Sequence, residues 1–241
     1  SSALRTVAIG WKAQATSNED TAYGVDAQAT GGQSVAIGPS TRAIGIQSTT
    51  MGNNTISRGH SSIAIGGDDL NAVSKDANGD YNKSDVAKKY KELTGEDFVQ
   101  FDTNGRPYRG TESGDAAIAV GVQAFAKAGL STAIGTRSDA TGVAAVALGT
   151  GANASKENSV ALGAGSKTDA KAGKILKATV GSYTYGDDAV KAFAGGKNIT
   201  EGDQVSVGSK GFERQIKHVA PGAIDKDSTD AINGSQLFYV T

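Results

Sequence analysis

The sequence predicts an all-β fold, a parallel β-solenoid in which short turns of chain stack along one axis. Three observations predict it. An apolar tetrapeptide that ends in glycine recurs every 14 residues, a second row of small residues follows these glycines, and the apolar residues are mostly Ala, Val and Ile. Small side chains suit a narrow coil in which the backbone approaches itself closely, whereas a broad core draws on Leu and Phe.

Nine glycines define the repeat, in two sets that share the 14-residue period. The tetrapeptides end at Gly10, Gly24, Gly38, Gly52 and Gly66, and then at Gly121, Gly135, Gly149 and Gly163. Fourteen residues are too few for a pair of helices, which takes about 33, but they fit two short strands and two turns. With successive turns about 4.8 Å apart, nine turns make a rod on the order of 40 Å long.

The glycine-ended strand is apolar on both faces. Alternation along residues 35–38 places Val35 and Ile37 on one face and Ala36 and Gly38 on the other. One face lines the coil and the other needs a partner, because soluble monomers avoid a long exposed apolar stripe. The sequence therefore predicts self-association and leaves open which face meets the partner. The packing candidates are Val35, Ile37, Ile63, Ile65, Ile134, Val146, Leu148, Val160 and Leu162.

The repeat is interrupted between Gly66 and Gly121, which lie 55 residues apart, one short of four repeats. The segment 67–113 is polar and charged, so we interpret it as an insertion on the side of the rod. Within it, Ser84 predicts the N-cap of a helix that ends near Gly95. Insertions in solenoids often gather on a binding face, and the alternative is a structural clip that binds nothing. The candidate ligand contacts, if they are exposed, are Tyr90, Phe98 and Phe101.

The sequence offers little that suggests catalysis or metal binding. There is no cysteine, and His60 and His218 lie far apart without ligand spacing. The stretch 76–80 resembles the start of a calcium loop, but Tyr81 stands where glycine is needed and Ala87 where Glu is needed. A solenoid acyltransferase would show a hexapeptide period, and an ice-binding solenoid would show regular Thr rows. We therefore expect no enzyme activity, no cofactor and no metal.

Charge and hydropathy exclude other classes. The formal net charge is −1, so no basic surface indicates a nucleic-acid partner. No run of 18 apolar residues indicates a membrane-spanning helix, and the first ten residues do not read as a signal peptide.

Beyond Gly163 the repeat becomes irregular. Residues 171–185 have mixed strand character, and residues 204–208 look like one more strand and turn.

These repeats resemble the YadA-like head of trimeric autotransporter adhesins. Residues 205–222 and 229–237 resemble that family's neck, although residues 223–227 lengthen the connection. The resemblance implies a left-handed parallel β-roll, three of which pack side by side as a homotrimer, and a neck that clamps the chains and leads into a coiled-coil stalk. Ser228 or Thr229 is placed to cap a helix that starts at Asp230. The neck positions are Glu213, Arg214, Gln215, Ile216, Asn233 and Leu237.

The resemblance also implies a domain order and a function. A head of this family attaches bacteria to host extracellular matrix or cell surfaces, with collagen and fibronectin as candidate partners and autoagglutination or biofilm formation as further roles. It works on the cell surface, and membrane attachment comes only from a C-terminal outer-membrane anchor that these residues do not include. A spacer that projects another adhesive domain is the alternative. The expected segments are β-roll 1–66, insertion 67–113, β-roll 114–170, transition 171–204, neck 205–229 and stalk 230–241.

Overall fold

The computed structural model of the chain describes residues 5–186 and 192–239. It divides into two compact units: the first takes in 1–170 and 204–213, and the second 171–203 and 214–241. The first four residues of the predicted β-roll and the last two of the predicted stalk lie outside the described residues.

The first unit is a parallel β-solenoid built from two sheets, as the repeat predicts. One sheet has ten strands, and each pairs with its counterpart in the next turn. These long-sheet strands are β1 Val7–Ile9, β3 Thr21–Tyr23, β5 Val35–Ile37, β7 Thr49–Gly52, β9 Ile63–Gly67, β11 Ile118–Val122, β13 Thr132–Ile134, β15 Val146–Leu148, β17 Val160–Leu162 and β20 Val205–Ser206. The last of them confirms the strand expected after residue 204.

The second sheet has eight strands of two residues each. They alternate with the long-sheet strands along the chain, so each turn from β1 to β16 contributes one strand to each sheet. These short-sheet strands are β2 Gln14–Ala15, β4 Gln28–Ala29, β6 Arg42–Ala43, β8 Ile56–Ser57, β10 Glu112–Ser113, β12 Phe125–Ala126, β14 Asp139–Ala140 and β16 Asn153–Ala154.

The inside of the coil is lined by the alanine face of the long sheet. Ala36 is fully buried, whereas Val35 and Ile37 on either side of it are half-buried and point outward. Two alanine clusters fill the coil, one before the insertion and one after it. Between them the interior carries hydroxyls, and the Oγ atoms of Ser57 and Ser113 lie 3.1 Å apart. The Val and Ile face therefore points away from the coil.

The period of the glycines has two physical causes. Gly52 has a φ of +127°, a conformation that side chains of L residues rarely adopt. A Cβ at this position would also lie 1.8 Å from the carbonyl oxygen of Gly66 in the next turn. The close approach of successive turns therefore excludes larger residues at the position of the repeat glycine.

The corners of the coil are held by residues with left-handed backbone. They recur every seven residues, and most are not glycine. At one corner their side chains stack along the solenoid: Gln47 donates to Gln33 at 3.0 Å, and Gln33 donates to Glu19 at 2.9 Å. Polar side chains that bond their counterparts one turn away stabilise this edge.

The insertion occupies a single turn, between β9 and β10. β9 pairs directly with β11, and β10 lies between β8 and β12, so the stacking continues past it. The turn from Ser113 to Ile118 is one residue shorter than its counterpart from Ala126 to Thr132, which accounts for the irregular spacing of the glycines. The insertion therefore leaves the roll unbroken.

Two helices form the insertion: α1 Asn71–Ser74 and α2 Asp85–Thr94. The Ser84 side chain accepts a hydrogen bond from the Ala87 amide at 3.1 Å, and Gly95 ends α2 in a left-handed conformation. Both ends of the predicted helix are confirmed.

The second unit contains a hairpin, a short 3₁₀ turn at Gly196–Asn198 and a C-terminal helix. Strands β18 Ala178–Val180 and β19 Tyr183–Tyr185 pair antiparallel. This hairpin accounts for the mixed strand character predicted for residues 171–185. The helix α3 Gly234–Phe238 begins four residues after the start expected at Asp230. No helix in residues 5–186 and 192–239 is long and apolar enough to cross a membrane.

The start expected for the C-terminal helix was wrong because a stronger cap follows it. The Asn233 side chain accepts from the Gln236 amide at 3.3 Å, and the Gln236 side chain accepts from the Asn233 amide at 3.2 Å. This reciprocal capping box satisfies two amides at once. The Asp230 carboxylate instead accepts from the Ala223 amide at 3.0 Å.

Candidate binding surface

The insertion has its own small core. Tyr90 of α2 packs against Phe98, with ring centroids 4.9 Å apart, and Leu70, Ala87 and Val99 complete the cluster. All five side chains are buried, so the insertion is a folded element and not a loose loop.

Burial separates the three aromatic candidates for ligand contact. Tyr90 and Phe98 are each 4% exposed, whereas Phe101 is 49% exposed. Of the three, only Phe101 is exposed and can contact a ligand, whereas Tyr90 and Phe98 are buried. The physical reason is that α2 turns Tyr90 inward, where this ring and Phe98 close the core of the insertion.

Charged and polar contacts fasten the insertion to the roll. The Lys167 ammonium donates to the Glu96 carboxylate at 2.6 Å. Burial alone would raise the pKa of Glu96, but the hydrogen bond and charge of Lys167 outweigh it and hold the pKa below its ordinary value. Burial raises the pKa of the Tyr90 hydroxyl, opposed by the nearby Arg137 guanidinium. Arg137 in turn donates to the Gln123 side chain at 2.8 Å.

The surface of the roll on which α2 packs, here called the seat of α2, contains two glycines. A Cβ on Gly151 would lie 2.9 Å from the Tyr90 hydroxyl oxygen, and one on Gly165 would lie 2.6 Å from the Leu93 carbonyl oxygen. Earlier turns carry larger residues at the same corner, such as Lys12. The side of the roll is thus reduced to bare backbone where the helix lies on it.

We expect Gly165→Ala to loosen the insertion. The new methyl group would collide with the end of α2, so the helix must lift from the roll. Hydrogen exchange of the α2 amides should accelerate at least about tenfold, equivalent to about 1.4 kcal/mol.

Gly105→Ala is the matched control for this loosening. Gly105 has a similar φ of +72° but nothing within 4 Å of an added Cβ. Unchanged exchange of α2 in Gly165→Ala would show that the seat does not hold the helix.

An aromatic patch borders the core of the insertion, where Phe101 is exposed and Tyr81 is half-buried. The rings of Tyr81 and Phe101 meet edge to face with centroids 5.2 Å apart, and the Lys75 ammonium lies 4.3 Å from the Tyr81 centroid. We call these three residues the insertion patch. The Asp102 carboxylate accepts from the amide of Arg106 at 2.8 Å, and this bond contributes to the lowered pKa of Asp102. Phe101 therefore precedes a fixed turn.

The residues predicted to pack against a partner lie in two outward rows of the long sheet. All nine are half-buried or exposed in the single chain. We call the row nearer the strand ends the outer row; parallel register aligns its members one turn apart. The outer row consists of Ile9, Tyr23, Ile37, Met51, Ile65, Val120, Ile134, Leu148 and Leu162.

The neck residues are divided between the two units. Glu213 belongs to the first unit, where its carboxylate accepts from the Gly211 amide at 2.9 Å, a bond that lowers the pKa of Glu213. Arg214, Gln215 and Ile216 begin the next stretch of the second unit and are exposed.

Two further neck positions lie at the C-terminal helix. Asn233 caps α3 and also donates to the Val219 carbonyl at 3.0 Å, while Gln236 donates to the Gly222 carbonyl at 2.6 Å. Leu237 on α3 is exposed. Hydrogen bonds within one chain therefore join the start of α3 to the neck, and the apolar side chain of Leu237 faces outward.

The motifs considered for metal binding serve local structure. No group of three or more Asp, Glu or His in the described part of the chain is arranged to hold a metal ion. The Asp76 carboxylate accepts from the amides of Asn78 and Asp80 at 2.9 and 3.1 Å, which is a local turn. The Nδ1 atom of His60 accepts from the Ile46 amide at 3.0 Å, so this ring joins two turns of the roll.

The chain matches two family models. The model described as the YadA head domain repeat matches residues 1–26, 15–41, 43–68, 113–138 and 140–166. The model described as the coiled stalk of trimeric autotransporter adhesin matches residues 215–241. The gap between the matched repeats corresponds to the insertion, and the stalk match begins within the neck.

One curated relative and two solved structures are similar to parts of the chain. The autotransporter adhesin BtaE of Brucella suis biovar 1 (strain 1330) is 67% identical over 33 residues, which is 14% of this chain and 4% of BtaE. The C-terminal YadA-like domain of BPSL2063 from Burkholderia pseudomallei is 40% identical, with a TM-score of 0.32, over 46% of this chain and 41% of that one. The collagen-binding domain of the Yersinia adhesin YadA is 22% identical, with a TM-score of 0.49, over 98% of this chain and 97% of that one.

Three findings agree with one another. They are the close contacts of the repeat glycines with the next turn, the head-repeat matches on both sides of the insertion, and the stalk match at the C-terminal end. The chain belongs to the trimeric autotransporter adhesins, a family of adhesins and not of enzymes, and contains a YadA-like head followed by the beginning of the stalk.

Proposed function

We propose that this chain acts as a homotrimeric, non-enzymatic adhesin head that attaches bacteria to host extracellular matrix or cell surfaces. The observation that carries the trimer is the outward direction of the outer row. A continuous row of Ile, Leu, Met, Tyr and Val along nine turns is an apolar stripe of a kind that soluble monomers avoid. Three rods that share one axis would cover it.

Display on the cell surface follows from the same proposal. Membership of an autotransporter family supports an outer-membrane anchor elsewhere in the protein, with the head projecting outward. Three identical heads bind a repetitive surface with avidity, which exceeds single-site affinity by about 100-fold or more. Weak contacts on each head are then sufficient for attachment.

The insertion patch is the proposed contact for the host ligand. The exposed Phe101 and the half-buried Tyr81 next to a lysine provide both apolar area and charge, and such residues recur at the centres of interfaces. The contacts of Lys167 and Gly165 with the end of α2 hold the insertion on the roll. A fixed patch loses little conformational entropy when it binds.

We expect the double variant Tyr81→Ala, Phe101→Ala to weaken attachment. Removing two aromatic contacts of about 1–2 kcal/mol each should reduce binding to immobilised collagen, fibronectin or whole host cells at least about tenfold. Surface plasmon resonance on the trimer and a cell-attachment assay measure this loss.

Trp11→Ala is the matched control, because Trp11 is an exposed aromatic residue on the roll itself, 67% exposed, beside Lys12. Loss of attachment in Trp11→Ala alone would place the contact on the roll and contradict the insertion patch. Normal attachment in all variants of a protein that does bind would contradict both surfaces.

Collagen and fibronectin are the first ligands to test. Autoagglutination and biofilm formation are further proposed roles, since the same exposed surface can meet its counterpart on another cell. A spacer that raises a different adhesive domain is the alternative. Absence of binding to every matrix protein and cell type, with a folded trimer, would favour the spacer.

A further inference from the structure

An apolar groove of about 630 Å³ lies between α2 and the roll. Val86 and Leu93 of α2 line one side together with the charged Asp85 and Lys89, and the other side is lined by Thr136, Thr150 and Ala164. Val86 and Leu93 are both exposed in the single chain. A helix that is already docked through Tyr90 thus still presents a second apolar side to the surroundings.

The groove is continuous with the outer row. Thr136, Thr150 and Ala164 each stand two residues after a member of that row, namely Ile134, Leu148 and Leu162. The roll side of the groove therefore begins two residues beyond the outer row, in the same turns.

Two exposed apolar side chains lie at the opposite corner of the same turns. Leu130 precedes β13 and is 64% exposed, and Val143 precedes β15 and is 47% exposed. Thr136 and Thr150 follow the same two strands. Two of the three turns that supply the wall of the groove at one end of their long-sheet strand therefore present a large apolar side chain at the other end.

In a threefold ring of parallel rods, one end of each sheet meets the opposite end of its neighbour's sheet, because the contact is head to tail around the axis. Residues of one turn then lie at the same height in all three copies. We propose that the groove between α2 and the roll receives Leu130 and Val143 of a second copy of this chain. The insertion thus clamps the neighbouring subunit, an inference that rests on the proposed trimer.

Opposite charges introduced on the two sides of this contact test the proposal on the full chain. Leu93→Glu and Val143→Lys should each raise the dissociation constant of the trimer, measured by sedimentation equilibrium, at least about tenfold. The double variant should recover most of the loss, because the new carboxylate and ammonium would pair between subunits. Ile46→Lys is the matched control, since Ile46 occupies the same repeat position as Val143 in a turn that α2 does not reach.

The outcomes separate this inference from the trimer itself. Recovery in Leu93→Glu with Val143→Lys, but not in Leu93→Glu with Ile46→Lys, supports the clamp. A trimeric parent in which the first pair shows no recovery overturns the clamp and leaves the proposed trimer standing. A folded monomeric parent overturns both. Loss of collagen binding in Leu93→Glu with an unchanged trimer would assign the groove to a ligand and also overturn the clamp.

Discussion

Gly52→Ala should destabilise the β-roll by about 2–5 kcal/mol. The backbone φ of +127° costs an alanine at least about 1–2 kcal/mol. The collision of its Cβ with the Gly66 carbonyl oxygen, 1.8 Å away, forces two turns apart at a further cost of about 1–3 kcal/mol. Denaturant unfolding followed by circular dichroism measures the difference, and part of the protein is expected to be unfolded already without denaturant.

Gly67→Ala provides the matched comparison. Gly67 lies at the end of β9, pairs with Val122 in the next turn, and leaves an added Cβ 3.9 Å from its nearest neighbour. Its substitution should change the free energy of unfolding by less than about 1 kcal/mol. Equal stability of the two variants would contradict the account of the repeat as a ladder set by close approach.

The second large effect is expected from Leu148→Glu in the outer row. Leu148 is exposed in the single chain, and in the proposed trimer three copies would lie near the axis. Each buried leucine contributes about 1.5–3 kcal/mol, and three carboxylates would also repel one another. The trimer dissociation constant should rise at least about a thousandfold, since 1.4 kcal/mol corresponds to tenfold.

Asn153→Glu controls for the added charge. Asn153 lies in the same repeat as Leu148 but on the short sheet, where its side chain is not part of the apolar row. It should leave the dissociation constant within about threefold of the parent value, as most surface substitutions do. A stable trimer of Leu148→Glu would place the subunit contact on another face.

The sequence predicts the two sheets well because the glycine period records a contact that every turn must make. It does not decide which strand face points inward, since both faces of a stretch such as Val35-Ala36-Ile37 are apolar. The deciding quantity is the width of the coil, whose inward positions hold small side chains: Ala36 and, one turn further on, Thr50 are fully buried. That width follows from how the turns close, and it cannot be read from the alternation alone.

The candidate site was harder to predict, because the insertion follows no period. The helix caps at Ser84 and Gly95 are local signals and were found, but the direction of Tyr90 depends on docking to distant residues. One signal was available. At the corner where other turns carry residues such as Arg137, the sequence changes to Gly151 and Gly165, where α2 lies.

The central claim is that the outer row is covered by two further copies of the same chain. Light scattering after gel filtration gives the absolute mass of the protein, with and without a trimeric coiled coil fused to its C-terminal end. We expect both forms to have the mass of three chains, each chain contributing 24.3 kDa before the fusion is added. A stable, folded monomer in the unfused protein would contradict the claim, because the apolar row would then be exposed to water without cost to the fold.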